Sequence, residues 1–321
     1  MANLKNNSEL LKLETFGVEI EGYGLTQSKV ANHIQDLFNT KYGMNRESYF
    51  EGVHLSNYVA IDGQGRKWNV VSDASLSSGN GTFELVTPIL HYDDIELLQE
   101  VVRYLREKGA KSDNRHGCGV HIHVGIKNDT NPATPKSIRS LANVVKNHEK
   151  LIVKAIKMSG DRYFNGFAKG ISPAFIDALN TKKPKTWDAL KKIHYDVLGG
   201  GQMHYSSSRY YFLNLHAIWD KGTVEFRCFE FQGNLHAGWL KAWIQLCVAL
   251  VSYSKLIGYA RPHEVYDTNE KFCMKNWLNN LGLIGDEFKT CRVLFLRRLQ
   301  GDASQKNPAT VNPMDDLSWE D

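Results

Sequence analysis

Residues 16–22 alternate apolar and polar: Phe16-Gly17-Val18-Glu19-Ile20-Glu21-Gly22. A period of two predicts a strand with Glu19 and Glu21 on one face and Val18 and Ile20 on the other. Gly17 and Gly22 bracket it and leave room for close approach. Two later stretches repeat the design. Val120-His121-Ile122-His123-Val124 sets two imidazoles on one face, and Val224-Glu225-Phe226-Arg227 sets a carboxylate beside a guanidinium. One polar residue in a strand is ordinarily satisfied or wet. Three such pairs are all wet only if all three strands are half-exposed. The sharper reading is that they line one concave, metal-binding site. Neighbouring carboxylates repel unless a cation or proton answers them, and the sequence around Glu19 and Glu21 offers no Lys or Arg to do so.

Other stretches follow helical or turn patterns. Residues 28–38 predict a helix, with Val30, His33, Ile34, Leu37 and Phe38 at helical spacing. Residues 39–67 turn to Tyr, Gly, Asn and Ser and read as a long loop or weak hairpin with a turn at Asp62-Gly63. Strands are expected at 68–73, ending in Asp73, and at 82–87, where Glu84 sits among apolar residues before Pro88. A turn at 77–81 joins them. Asp93-Asp94 caps a helix over 95–108, and Thr134-Pro135 opens another reaching about residue 158. Residues 161–170 form an irregular loop dense in polar, aromatic and basic groups. Short helices at 173–180 and 186–198 lead to a hinge at Gly199-Gly200-Gly201. A hairpin pairs 210–216 with 223–231 across Asp220-Lys221-Gly222, and helices follow at 235–257, 269–281 and 286–299. Residues 1–13 read as a flexible leader and 301–321 as a polar tail. Residues 14–300 read as one catalytic domain, with 39–67 an insert and 235–300 its helical C-terminal part. The expected fold class is α+β: a curved, mostly antiparallel sheet with the polar pairs on its concave face and helices on the convex one.

Composition narrows the classes. The 321 residues are 42% hydrophobic and 23% charged, ordinary for a soluble globular protein. A net charge of +4 is too small to indicate nucleic acid but suits anionic small ligands. Residues 1–14 carry no apolar segment of signal-peptide type. The apolar run around 239–256 is broken by Lys241, Gln245, Ser252 and Ser254, so it reads as a core helix rather than a membrane span, with Trp239 and Trp243 in the core. An oligomer is possible but not legible. Five scattered cysteines without C-x-x-C spacing argue against zinc fingers and disulfide frameworks and fit a reducing cytoplasm.

Glu19, Glu21, Glu84, His121 and Glu225 together make a ligand set of four carboxylates and one imidazole, which suits Mg²⁺ or Mn²⁺ better than zinc. Arg227 cannot ligate a metal. It either faces the anion that metals also hold, as in phosphoryl transfer, or forms an ion pair with Glu21 or Glu225. Metals, arginine and loop cations together imply a polyphosphate substrate. No Walker A sequence is present, and Gly22-Tyr23-Gly24 is too short for a dinucleotide fingerprint.

Five segments in order resemble the amidoligase family of the carboxylate–amine ligase superfamily, which includes glutamine synthetase and glutamate–cysteine ligase. They are Phe16 to Glu21, the Asp73-Ala74-Ser75-Leu76 corner, Phe83-Glu84-Leu85-Val86-Thr87-Pro88, Cys118 to Gly125, and Thr223-Val224-Glu225-Phe226-Arg227. The resemblance implies a glutamine-synthetase-like catalytic domain and an ATP-dependent ligase with two or three Mg²⁺ or Mn²⁺ ions. It implies that Glu19, His121 and Glu225 hold the metal bridging the ATP phosphates, and that Glu21 and Glu84 hold the metal nearer the substrate carboxylate. It further implies that His123 contacts phosphate and Arg227 steadies the transferring phosphoryl group. Arg162 and Asn165 resemble an Arg-x-x-Asn segment, and Arg209 and Asn214 the polar residues of an Arg-Tyr…Asn-Leu strand. Asp73 either acts on the incoming amine or only caps its corner. Gln232-Gly233-Asn234 stands where many members carry Gly-Thr.

The implied chemistry is attack of a small-molecule or peptide carboxylate on the γ-phosphoryl of ATP, giving an acyl phosphate. An amine then displaces phosphate, with Asp73 or Glu84 taking its proton. Two rivals use the same residues. In one, His121, His123 and a glutamate form a facial triad in an ATP-independent oxygenase or hydrolase. In the other, the chain is a non-catalytic nucleotide-binding module.

Overall fold

The computed structural model describes residues 4–52, 57–72, 76, 81–128, 130–164, 166–201, 206–264 and 268–306. The strands are β1 Phe16–Tyr23, β2 Tyr49–Phe50, β3 Asn57–Ile61, β4 Lys67–Val71, β5 Thr82–Val86, β6 Lys111–Asp113, β7 Val120–Gly125, β8 Leu213–Asn214, β9 Thr223–Phe229 and β10 Gln232–Asn234. The helices are α1 Leu4–Leu10, α2 Gln27–Tyr42, α3 Ile95–Glu107, α4 Pro135–Ile156, α5 Gly160–Phe164, α6 Pro173–Lys182, α7 Trp187–Leu198, α8 Ala217–Asp220, α9 Ala237–Leu256, α10 Glu270–Asn280 and α11 Lys289–Leu296. The fold is α+β. Its main sheet runs β2-β3-β4-β5-β1-β7-β9-β8, with β6 and β10 paired at one end of β1, and every pairing between these named strands is antiparallel.

β1 lies in the middle because its odd and even positions both find cover. Val18 and Ile20 are buried with Leu85, Ile122, Val124, Val224 and Phe226. α9 packs against β7 on that side, and α2 packs against β3, β4 and β5. α9 is apolar nearly all round, as a helix enclosed by others must be. It touches α1, α3, α4 and α11, and Trp239 and Trp243 are both buried in the core.

The structure revises several expectations. The segment read as a flexible leader contains a helix, and the buried Asn7 amide donates to the Leu281 carbonyl while Ser252 Oγ donates to Asn7 Oδ1 at 2.7 Å. Residues 39–67, read as a loop or weak hairpin, carry β2 and β3, which extend the sheet through β4. Asp62 closes that turn, accepting from the Gln64 and Arg66 amides, while Arg66 reaches Asp94 with both terminal nitrogens. The strand expected over 210–216 shrinks to Leu213–Asn214, because the backbone of Lys169 pairs with Tyr210 and Phe212 instead. β6 and β10 are too short to show a period. Among the described residues no helix is long and apolar enough to cross a membrane.

Two imidazoles, His194 buried and His148 half-buried, set a pH dependence. Burial pushes His148 down to about 4 and His194 down to about 3. Both stay neutral in the fold, whereas in the unfolded chain they protonate near 6.5. Below that pH the unfolded state binds more protons, so stability falls as pH drops from about 6.5 towards 4, by roughly 1.4 kcal/mol per pH unit for each imidazole. Calorimetry between pH 7 and pH 5 should show a falling Tm, and the His148→Gln/His194→Gln chain should show a flatter slope. An equal slope in that chain would rule these two groups out.

Candidate metal centre

Strand register gathers the polar pairs. Glu21 stands opposite Glu84 on β5, Glu19 opposite His121 on β7, and His123 opposite Glu225 on β9. Glu225 stands in turn opposite Asn214 on β8. Cross-strand partners share a face, so all seven face the side opposite the Val18 and Ile20 packing. Between Val120↔Phe229 and Ile122↔Phe226 the register shifts, and His121 faces both Arg227 and Cys228. Such a bulge leaves backbone groups outside the ladder. The Arg227 carbonyl accepts from Arg162 Nη2 at 2.9 Å and Nε at 3.3 Å, so Arg162 caps the irregularity.

The side chains form one connected network. His121 Nδ1 lies 3.0 Å from Glu19 Oε2, and His121 Nε2 lies 3.9 Å from Glu21 Oε1 and 3.5 Å from Arg162 Nη2. Arg227 Nη1 donates to Glu225 Oε1, and its Nε donates to the Phe167 carbonyl at 3.2 Å. Asn214 Nδ2 donates to Glu225 Oε2 at 2.6 Å. The Gly119 amide donates to Glu21. Lys221 Nζ reaches Glu19 Oε1 at 2.8 Å. Apart from Gly119, these residues line a cavity of about 510 Å³ with Glu84, Arg209, Tyr210 and His216. A second, more apolar crevice of about 510 Å³ adjoins it at Glu19 and Lys221, lined by Gly17, Pro88, Ile89, His123 and Thr223 among others.

Opposite charges keep the buried carboxylates ionised. Burial opposes this at Glu225, but Arg227 first, then His123 and His121, hold its carboxyl down at about 2. Burial likewise opposes ionisation of Glu19, yet His123, His121 and Lys221 hold it well below the usual range. Burial pushes Lys221 down, and Glu19 more than compensates, so its ammonium is held above the ordinary lysine value.

The donor set fits a divalent cation. One ligand atom each from Glu19, His123 and Glu225 lie within 4.8 Å of one another, and so do atoms from Glu19, Glu84 and His121. His123 Nε2 is buried and makes no hydrogen bond, although Glu19 Oε1 is 3.3 Å away and Glu225 Oε2 3.9 Å. The approach to Glu19 is close but badly directed for a proton, whereas a lone pair aimed between two carboxylates suits a cation. His123 Nδ1 pairs with Thr223 Oγ1 at 2.9 Å, a bond that fixes the ring with Nε2 towards the two carboxylates. This grouping differs from the one the resemblance implies: His123 rather than His121 gathers with Glu19 and Glu225. The two imidazoles fall into separate triads, which does not favour a facial triad built on both.

Of the residues singled out in the sequence, Glu19, Glu21, Glu84, His121, Arg162, Arg209, Asn214, Glu225 and Arg227 line this one cavity, and His123 lines the adjoining crevice. Asp73 and Asn165 lie outside the described residues. Sequence reading passed over Lys221, which looked only like part of a turn; its position just before β9 was the available signal. It also passed over the glycine that admits Arg162. A Cβ on Gly119 would lie 2.1 Å from Arg162 Nη2 and 2.6 Å from its Cζ. Gly119→Ala must therefore displace a buried guanidinium, with an expected cost of about 1–3 kcal/mol in urea unfolding. An unchanged midpoint would show that Arg162 yields freely.

An antiparallel sheet with two carboxylate–imidazole triads on one face defines an α+β protein with a candidate two-metal centre. The sequence profile of the family described as "putative amidoligase enzyme" matches residues 12–251, most of the chain, and the chain belongs to that family. No curated protein matches it. Among solved structures, it is similar to a bifunctional glutathione synthetase from Pasteurella multocida, at 11% identity and a TM-score of 0.44. That similarity covers 92% of this chain and 49% of the other, so the chain spans about half the length of that relative.

Proposed function

We propose that the protein is an ATP-dependent carboxylate–amine ligase that forms an amide bond through an acyl phosphate. In this reading the sheet is a glutamine-synthetase-like catalytic sheet, residues 14–300 act as one catalytic domain, and the protein works in the cytoplasm on small-molecule or peptide substrates. The observation that carries it is the pair of triads sharing Glu19 with a guanidinium, Arg227, on the same face. Family membership supports the ligase class.

Glu19, His123 and Glu225 would hold one Mg²⁺ or Mn²⁺, and Glu19, Glu84 and His121 another, with Glu21 beside them. Bound there, the ions would neutralise phosphate charge and polarise the transferring phosphoryl group. The chain's own groups do the rest. Glu225 and the Phe167 carbonyl fix Arg227, so its remaining N–H groups are directed before substrate arrives. Lys221 holds its charge at the mouth shared by the two cavities, where a polyphosphate crossing between them meets it. The apolar crevice exceeds the roughly 300 Å³ lower bound for ligand pockets and suits a nucleoside. The substrate carboxylate attacks phosphorus, ADP leaves, and the amine displaces phosphate from the acyl carbon. Glu84 takes the amine proton.

Incubation with Mg²⁺-ATP, pooled amino acids and polyamines, and hydroxylamine tests the reading. ADP should accumulate together with a hydroxamate. Absence of ATP binding alongside tight Fe²⁺ or Zn²⁺ binding would sink it.

A further inference from the structure

A cavity of about 200 Å³ opens elsewhere, between the β9–β10 connection and helices α9 and α11. None of the residues lining it takes part in the network described above. It includes Gln232 and Asn234, the segment that departs from the family pattern. Arg297 and Arg298 line it, and among the described residues neither forms an ion pair. Among the described residues Arg298 donates to the Ile156 carbonyl, and it lies over the Trp239 ring at 5.3 Å. Trp243 also lines the cavity. It is 2% exposed and forms the apolar wall with Trp239.

The local field is positive. After burial, the cations Arg106, Arg297 and Arg298 push His236 below its ordinary value. One carboxylate, Glu230, stands on the same wall and takes donors from Ser159 and Gln232. A simple anion would answer the arginines but leave Glu230 without a cation. A ligand with a carboxylate at one end and an ammonium beside it satisfies both charges. At about 200 Å³ the cavity is below the roughly 300 Å³ of ordinary ligand pockets, which excludes a nucleotide.

We propose that this cavity is a second binding site, separate from the metal centre, that takes a free α-amino acid. Its carboxylate lies against Arg297 and Arg298, its ammonium against Glu230, and its side chain against the wall formed by Trp239 and Trp243. The proposal is independent of the ligase reading.

Tryptophan fluorescence and thermal shift test it, on the full chain without nucleotide or metal. The probes are the free α-amino acids, their α-amides and the matching 2-oxo acids. At least one amino acid should give a saturable signal that weakens more than tenfold when either its carboxylate is amidated or its amine is replaced. Arg297→Gln, an exposed position that leaves packing intact, should weaken the same ligand about tenfold. Glu19→Gln should leave it unchanged. No signal from any amino acid overturns the site, and so does equal binding by Arg297→Gln. Loss of binding in Glu19→Gln would place the ligand in the metal centre and equally overturn it.

Discussion

Glu19→Gln should abolish both metal sites at once, because Glu19 is the one residue common to the two triads. Glutamine keeps the shape and one oxygen but removes the charge that answers two cations. The expected fall in ATP turnover is about 10³-fold, the equivalent of roughly 4 kcal/mol of lost charge stabilisation. Glu84→Gln, which touches one triad, should lose one Mn²⁺ and keep the other. Mn²⁺ titration followed by paramagnetic resonance distinguishes these outcomes. In the metal-free protein Lys221 loses its carboxylate partner, but that ammonium is two-fifths exposed, so the Tm should move little. Normal Mn²⁺ stoichiometry in Glu19→Gln would remove the shared-ligand arrangement.

Arg227→Met should separate a catalytic effect from a structural one. Arg227 and Glu225 are 4% and 3% exposed, and their side chains are directly bonded. Removing the guanidinium leaves Glu225 buried with only Asn214 as donor and the neighbouring imidazoles as partial compensation. Breaking one side of a buried ion pair costs about 3–5 kcal/mol, which chemical denaturation will read. Arg227→Met/Glu225→Gln should recover most of that stability, since no uncompensated charge remains. Neither chain should recover turnover: a transition-state arginine in phosphoryl transfer is worth about 10³–10⁵-fold. If the double substitution restores activity as well as stability, Arg227 serves only as a counter-ion. Arg227→Lys is the finer probe, because an ammonium keeps the charge but cannot hold Glu225 and Phe167 in one planar geometry.

How much of this was readable along the chain depends on the range of the interaction involved. The alternation in Glu19-Ile20-Glu21, His121-Ile122-His123 and Glu225-Phe226-Arg227 is set by backbone geometry alone. A side-chain period of two therefore fixed which groups share a face before any partner strand was known. The same holds for α3, α4 and α9, whose apolar spacing and flanking residues set their extents nearly to the residue. Glu84 stood out for the same local reason, a carboxylate between two residues that must be buried.

Register was not readable. That Glu19 meets His121 rather than His123, and that Glu21 meets Glu84, depends on pairing across 60 to 100 residues of chain. The bulge opposite His121 depends on Arg162, which arrives from a segment that read only as irregular loop. Lys221 arrives from a turn whose neighbours gave no hint of Glu19, 202 residues away. The N-terminal helix is held by Asn7 binding a carbonyl 274 residues on, an attachment no local pattern carries. The sequence by itself determined which face each polar pair would occupy, because alternation is a property of a few consecutive backbone dihedrals. Only the tertiary structure decided which carboxylates each imidazole would gather with, because that choice belongs to strand register and to side chains delivered from distant segments.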